Sequence, residues 1–461
     1  MGTASEGLAA FAEQLKFEDI PSNVIARVKL HILDILGIGL AASDMEFARI
    51  VVETVRAWGG TPQSTVLRYG DRLPVPSAVL ANGSFTHGLD FDDTHAESIT
   101  HASTCVVPPA LAVGEALHVD GKGLLTAAVI GYEVIPRIGA AAPGAFHHRG
   151  YHATPICGAF AAGMVAGKLM GLTPDALANT LGICGSQAAG LQAFLDDGSW
   201  TKRLHPGWAA HGGVVAAQLA MRGFQAPKTV LEGRFGLYAT HVGQDHFEPD
   251  RLTRGLGHEW ESTRIAFKPY PVCHFSHASM DAALALQQQH QFSPEDVVSG
   301  EVLVPEPIVP IVCEPLADKQ TPTATYGALF SLPFCVATNL VHGYARLDSF
   351  TEDALQDRDV LAIAAKIGYC VEPWPEFPNS FPGGLRLTLR DGRSVEWREP
   401  INRGHPDNPM QAAEVQDKFR GNAARALPSD RIEAIIGLVD HLEDLSRVSE
   451  LMDLCIVPSS S

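Results

Sequence analysis

The chain has no CxxC pair, no glycine-rich phosphate loop of the GxGxxG or GxxxxGK[ST] kind, no GxSxG elbow and no run of basic residues. Without such loops there is no backbone cradle for a nucleotide phosphate, and without the elbow no exposed serine nucleophile of the hydrolase type. Basic residues are also outnumbered, 34 against 52 acidic, for a formal charge of −18. A surface this acidic repels nucleic acid and anionic membranes, so neither is expected as a partner. Any cations that meet an anionic ligand must then be placed deliberately. Long apolar runs are scarce as well. The longest, residues 32–42, is broken by Asp34 and is too short to span a bilayer. The first twenty residues carry acids early and do not read as a signal peptide.

The eight cysteines are scattered and match no metal or iron–sulfur spacing, which points to reduced, mostly buried thiols in a cytoplasmic protein. Hydrophobic residues make up 46% of the 461 positions and charged residues 19%, a globular composition long enough for more than one domain.

Helical grammar runs from the start to about residue 265. Val24, Val28, Ile32 and Ile35 recur on one face after Pro21-Ser22-Asn23. Further helices are expected over 79–89, 108–116 and 124–139. Another is expected after Thr173-Pro174, an N-cap followed by proline at the first helical position. Between 158 and 220 small residues are dense (GAFAAGMVAGKLMG, GWAAHGGVVAAQLAMRG), so helix backbones approach closely there, either within one chain or at a dimer interface. After about 269 the pattern changes. Residues 300–312 are β-branched, 353–365 read as helix, and LRLTLRDGRSVEW (385–397) alternates around Asp391-Gly392, a hairpin signal. Residues 429–451 return to helix, with Ser429 as the expected N-cap. The expected class is mainly α. A large all-helical domain is built from both chain ends, 1–266 and 401–461, with a smaller α+β domain, 267–400, inserted between.

Four segments hold the polar chemistry. HGLDFDDTHAESITH (87–101) gathers three histidines, three aspartates and a glutamate. Its residues Asp90, Asp92, Asp93, His95 and His101 can be read as metal ligands, as a carboxylate–imidazole proton-transfer set, or as a solvated loop. A mixed Asp/His run with no HExxH or EF-hand spacing is weak support for metal, and none is expected. HHRGYHATP (147–155) adds His152. SWTKRLHPGW (199–208) adds Lys202 and Arg203, and KPYPVCHFSH (268–277) adds Lys268, His274 and His277. The lysines and arginine could bind carboxylates, and the histidines and aspartates could move protons. This inventory fits elimination, decarboxylation or epimerisation beside a carboxylate, without an organic cofactor.

The runs DFDDTH, GYHATPICGAFAAG, KRLHPGWAAHGG and FKPYPVCHFSHASMDAAL, in this order, resemble the MmgE/PrpD family. Its members include 2-methylcitrate dehydratase, cis-aconitate decarboxylase and an iminodisuccinate epimerase. The resemblance implies a helical domain, a smaller lid domain with the active site between them, a homodimer, and no metal or organic cofactor. It implies catalytic roles for Asp90, Thr94, His101 and His152, with Asp93 alongside, and substrate-binding roles for Lys202 and Lys268. Where the family often reads SLPY the run here is SLPF, so Phe334 stands at that position. The expectation is a cofactor-independent lyase, a dehydratase or decarboxylase, acting on a small anionic di- or tricarboxylate. An epimerase of a dicarboxylate, a metal-dependent hydrolase and a helical binding module are the rivals.

Overall fold

Glycine pairs explain how the longest helices come together. In the computed structural model, which describes residues 2–243 and 246–457, a Cβ on Gly207 would lie 2.5 Å from the Leu80 carbonyl oxygen and 2.7 Å from the Ser84 nitrogen. The helices Val75–Thr86 and Thr201–Met221 therefore touch backbone to backbone. Gly213 plays the same part against Ala153–Leu169, where a Cβ would come within 2.6 Å of the Ala159 oxygen and the Gly163 nitrogen. The small-residue density between 158 and 220 thus serves packing within one chain at these positions.

Contacts divide the chain into two units, Met1–Ile265 with Gln411–Ser461, and Ala266–Met410. The first is mainly helical but not all-helical as expected, since the two-residue strands Ser64–Thr65 and Arg72–Leu73 pair antiparallel within it. Ser22–Ala42 buries Val24, Val28, Ile32 and Ile35 as its spacing predicts. The helix expected over 79–89 runs from Val75 to Thr86, which releases residues 87–93 from helical geometry. Ser103–Ala116 begins five residues before the expected start, with Pro108 and Pro109 inside it. Gly121–Ala140 starts from an Asp120 cap, and Thr173 caps Pro174–Cys184 as predicted. Among the described residues Gly121–Ala140 is the one helix long and apolar enough to cross a membrane. Its apolar window is 94% buried inside the protein.

The single helix expected over 429–451 is three pieces, Ser429–Asp440, Leu442–Asp444 and Val448–Leu454. Pro428 occupies the cap position and makes no side-chain cap bond, so the expected capping role of Ser429 is not realised. The preceding helix, Ala412–Ala423, was not foreseen. It packs its Phe419 against Gly37 of Ser22–Ala42.

The second unit holds a four-stranded sheet. Val297–Val304 pairs in parallel with Ile367–Val371 on one side and antiparallel with Gly383–Leu389 on the other, and Ser394–Glu399 completes the sheet. The hairpin forms where Asp391-Gly392 predicts it, with Leu385 opposite Trp397, Leu387 opposite Val395, and Gly392 at φ +87°. The β-branched run from 300 is strand only to Val304; Val309–Val312 is a short helix. The helix expected over 353–365 is shorter, Arg358–Ala364, and capped by Asp357. All eight cysteines are free, and Cys370 is the one that is not buried.

Candidate active site

Loop 87–101 does not act as one cluster. It leaves the helix Val75–Thr86 at His87 and turns through Asp90, whose φ of +51° lies in the left-handed region that aspartate tolerates better than most residues. The turn sends the acids in three directions. Asp90 Oδ1 accepts from Lys202 Nζ at 2.8 Å. Asp92 Oδ2 lies 2.6 Å from His87 Nδ1. The Asp93 carboxylate points to His31 Nδ1 at 2.9 Å and accepts from the Ser103 amide at 3.0 Å and from its hydroxyl. His95 leaves the group as well, with Nδ1 at 2.9 Å from Ser98 Oγ and Nε2 at 3.2 Å from Glu261. A metal site made from neighbouring residues of this loop is therefore not assembled.

His101 is pinned by its Nδ1, which sits 2.7 Å from the Asp93 carbonyl oxygen. A carbonyl only accepts, so Nδ1 carries the proton, and in the neutral ring Nε2 is the basic nitrogen. Thr94 Oγ1 lies 3.3 Å from the same Nδ1. Thr154 Oγ1 accepts from the His101 amide at 3.1 Å and ties the loop to the start of helix Ala153–Leu169. His152, one residue before that helix, lies 3.1 Å from His205 through the two Nδ1 atoms. Burial, then the charges of His87 and Lys202, push the His152 imidazole well below its ordinary range. The same influences bring His205 down to about 4. His152 is thus a neutral ring at physiological pH, suited to donate a hydrogen bond rather than to carry charge.

The rings of His87, His101 and His152 face one another. Centroids are 5.0 Å apart for His87 and His101 and 5.6 Å for His87 and His152. Asp90 and Lys202 are both buried. An ion pair held out of water is strongly felt by its neighbours, because little solvent screens it. Arg203, one position along the helix from Lys202, stacks its guanidinium over Phe47 at 4.8 Å.

The loop is supported from behind by the chain's C-terminal segment. Lys418 Nζ donates to the Phe91 carbonyl at 2.8 Å and pairs with Asp34 at 2.8 Å. Burial raises the Asp34 carboxyl to about 6 despite that lysine. Ser103 passes the Asp93 network on to Tyr132, 2.6 Å away.

Lys268, His274 and His277 lie in the second unit and are buried there. Asn402 Oδ1 accepts from the Phe381 amide, so its Nδ2 faces His274 Nε2 at 2.9 Å as donor. His277 donates from Nε2 to the Val272 carbonyl at 3.2 Å. Phe334 has no exposed surface and contributes to that unit's apolar core.

Comparison with known proteins supplies the lineage. Residues 6–250 match the MmgE/PrpD N-terminal domain and residues 270–444 the MmgE/PrpD C-terminal domain. The chain belongs to the MmgE/PrpD family. Among relatives, it is 30% identical to a human cis-aconitate decarboxylase over 469 residues, covering 99% of this chain and 95% of the relative. It is 28% identical to a cis-aconitate decarboxylase of Aspergillus terreus, covering 100% and 97%. It is 29% identical to a cis-aconitate decarboxylase-like protein of Aspergillus oryzae, covering 98% and 97%.

In this MmgE/PrpD chain the structure gathers Asp90, Thr94, His101, His152 and Lys202 in the first unit, with the Asp93 carboxylate turned away to His31. Asp92, a candidate from the loop's composition, is found against His87, while His87 and His205 at the site and His31 and Lys418 behind the loop were not anticipated as site residues. His87 opens the same fifteen-residue run, 87–101. Its signal was present but carried no spacing to distinguish it from a helix-end histidine.

Proposed function

We propose that this protein is a lyase, a decarboxylase or dehydratase, acting on a small di- or tricarboxylate by proton transfer at a carbon beside a carboxylate. The observation that carries this reading is His101. Its Nδ1 proton is held by a backbone carbonyl, which leaves Nε2 as the basic nitrogen, and the ring belongs to a buried cluster that includes a second, neutral histidine. The names of the full-length relatives support the same direction, with cis-aconitate or a close analogue as the substrate to try first.

In dehydration, His101 Nε2 takes the proton from the carbon next to the carboxylate. The released pair moves into that carboxylate as an enediolate, then returns to form the double bond as the β-hydroxyl leaves as water, taking a proton from an acid. In decarboxylation the C–CO2 bond breaks instead, its pair passes into the conjugated carboxylate, and a protonated histidine delivers a proton to carbon. In both cases the neutral ring of His152 donates to the oxygen where negative charge develops, which is worth most in a buried site. Lys202 supplies a cation for a substrate carboxylate. Its pairing with Asp90 keeps both charges compensated before substrate arrives. Thr94 is a further hydrogen-bonding group. Lys268, Arg203, His274 and His277 remain proposed substrate-binding residues on the strength of their motifs, with Lys268 as the second carboxylate anchor. No organic cofactor enters this scheme.

Epimerisation of a dicarboxylate would use the same base and return the proton to the other face. Proton NMR in D2O with cis-aconitate, citrate, 2-methylcitrate and smaller hydroxy- and amino-dicarboxylates separates the readings. New vinyl signals or loss of a carboxylate supports the lyase. Deuterium entering an α-position with no new product replaces it with the epimerase.

The proposed homodimer has support in an exposed apolar strip of the first unit. Trp58, Leu204 and Trp208 are each at least 38% exposed there, and Trp58 and Trp208 flank His211. A second copy of this chain would cover it, and Trp208→Glu would then lower the mass measured by light scattering.

A further inference from the structure

Three histidines bring one ring nitrogen each to within 4.8 Å of one another: His87 and His101 at the two ends of loop 87–101, and His152 ahead of helix Ala153–Leu169. From this geometry we propose that the cluster binds a borderline divalent cation of the zinc, cobalt or nickel kind. Nothing in the residue spacing announces such a site, because the three positions are 14 and 51 residues apart in the chain.

Each ring is held from behind. His87 Nδ1 is held by the Asp92 carboxylate at 2.6 Å, His101 Nδ1 by the Asp93 carbonyl at 2.7 Å, and His152 Nδ1 by His205 at 3.1 Å. Each imidazole is thus fixed through its Nδ1 by an outer partner, two of them a carboxylate and a carbonyl. Metal-binding histidines are commonly oriented by such partners. His87 Nε2 is buried with no hydrogen-bond partner, so a polar atom has been taken out of water without compensation. That is costly unless a ligand uses it. The donor set is all imidazole, which suits zinc, cobalt, nickel or copper and disfavours magnesium and calcium. Asp92 contributes negative charge directly behind the cluster, while the Lys202 ammonium, whose charge His152 feels, is paired with Asp90. His101 keeps 12% of its side chain exposed, which gives an ion a way in.

An ion held here would occupy the His101 lone pair that proton transfer needs. The metal-loaded form is therefore an inhibited form. This consequence rests on the function proposed above; binding itself does not.

The test uses the untagged full-length chain, stripped with a chelator and dialysed, then titrated with cobalt(II) chloride. The expected result is saturable visible d–d absorption at one cobalt per chain, displaced by zinc and lost in His87→Gln with its circular dichroism unchanged. X-ray absorption of the equimolar zinc complex of the wild-type chain should show three imidazoles, which keeps the proposal falsifiable if His87→Gln does not fold. No saturable band, a band that survives in folded His87→Gln, or fewer than two imidazoles overturns the site. If the site binds zinc and turnover is unaffected, the metal site stands and the role of His101 as base falls.

Discussion

Asp93 holds His101 through its backbone: the Asp93 carbonyl oxygen lies 2.7 Å from His101 Nδ1, while the Asp93 carboxylate is turned to His31 at 2.9 Å. Burial works against ionising that carboxylate, but its bonds to His31 and Ser103 outweigh it and hold the group below the ordinary carboxylate range. Asp93 is therefore a positioning residue that sets the tautomer of His101 from behind. Asp93→Asn should lower stability by about 1–3 kcal/mol, the usual cost of leaving buried hydrogen-bonding groups mismatched at His31 and Ser103. It should also lower kcat more than it changes KM, read by urea denaturation and steady-state kinetics. Unchanged kcat in a folded variant would show that the Asp93 carbonyl holds His101 without help from the carboxylate's bonds.

Asp90 and Lys202 give a sharper test, because each compensates the other. Lys202→Met removes the ammonium from beside a buried carboxylate and should cost about 3–5 kcal/mol. The double variant Asp90→Asn/Lys202→Met should recover most of that stability and still be inactive. Additive losses of stability in the double variant would mean that the pair is not coupled.

The helix contact at Gly207 predicts a packing defect. Gly207→Ala places a Cβ 2.5 Å from the Leu80 carbonyl oxygen, which belongs to backbone and cannot rotate away. Overpacking of this kind costs about 1–3 kcal/mol or more. A melting temperature unchanged from wild type would show that the two helices separate easily.

The acid response follows from a buried histidine. Burial, with the Lys202 charge second, lowers His147 from 6.5 to about 4. Between those values the unfolded chain binds the proton and the folded chain does not, so stability rises with pH across the window. The contribution is fully present above about 6.5 and is lost as pH falls toward 4. His147→Asn should flatten the fall in urea midpoint between those values relative to wild type. An equal slope in the two proteins would contradict the shift.

Much of this was legible in the residues, for physical reasons. Helices with a clear apolar face, such as Ser22–Ala42, and ends with a strong cap, such as Thr173, are local features and read directly. The Asp391-Gly392 hairpin is local in the same sense. The polar loop was visible as a concentration of charge, but its division was not. Asp90, Asp92 and Asp93 are near neighbours, yet each takes a different partner: Asp90 the distant Lys202, Asp93 the distant His31, and Asp92 the nearby His87. Lys418 supports Phe91 across 327 residues, and such long-range partners leave no periodic trace in a single sequence. The start of Ser103–Ala116 was misplaced because Pro108 and Pro109 suggested a boundary where tertiary packing carries the helix through.

The most direct test of the central claim compares wild type with His101→Gln by proton NMR in D2O, on the first substrate of the panel that the wild type turns over. The account predicts a wild-type product that has gained one deuteron at carbon if it forms by decarboxylation, or lost one carbon-bound proton to solvent if it forms by dehydration. It predicts loss of turnover by about 10²–10⁴-fold in a folded His101→Gln, the range for removal of a general base. Turnover and deuterium exchange by His101→Gln within about twofold of wild type would contradict it, since a base worth that range cannot be absent without effect.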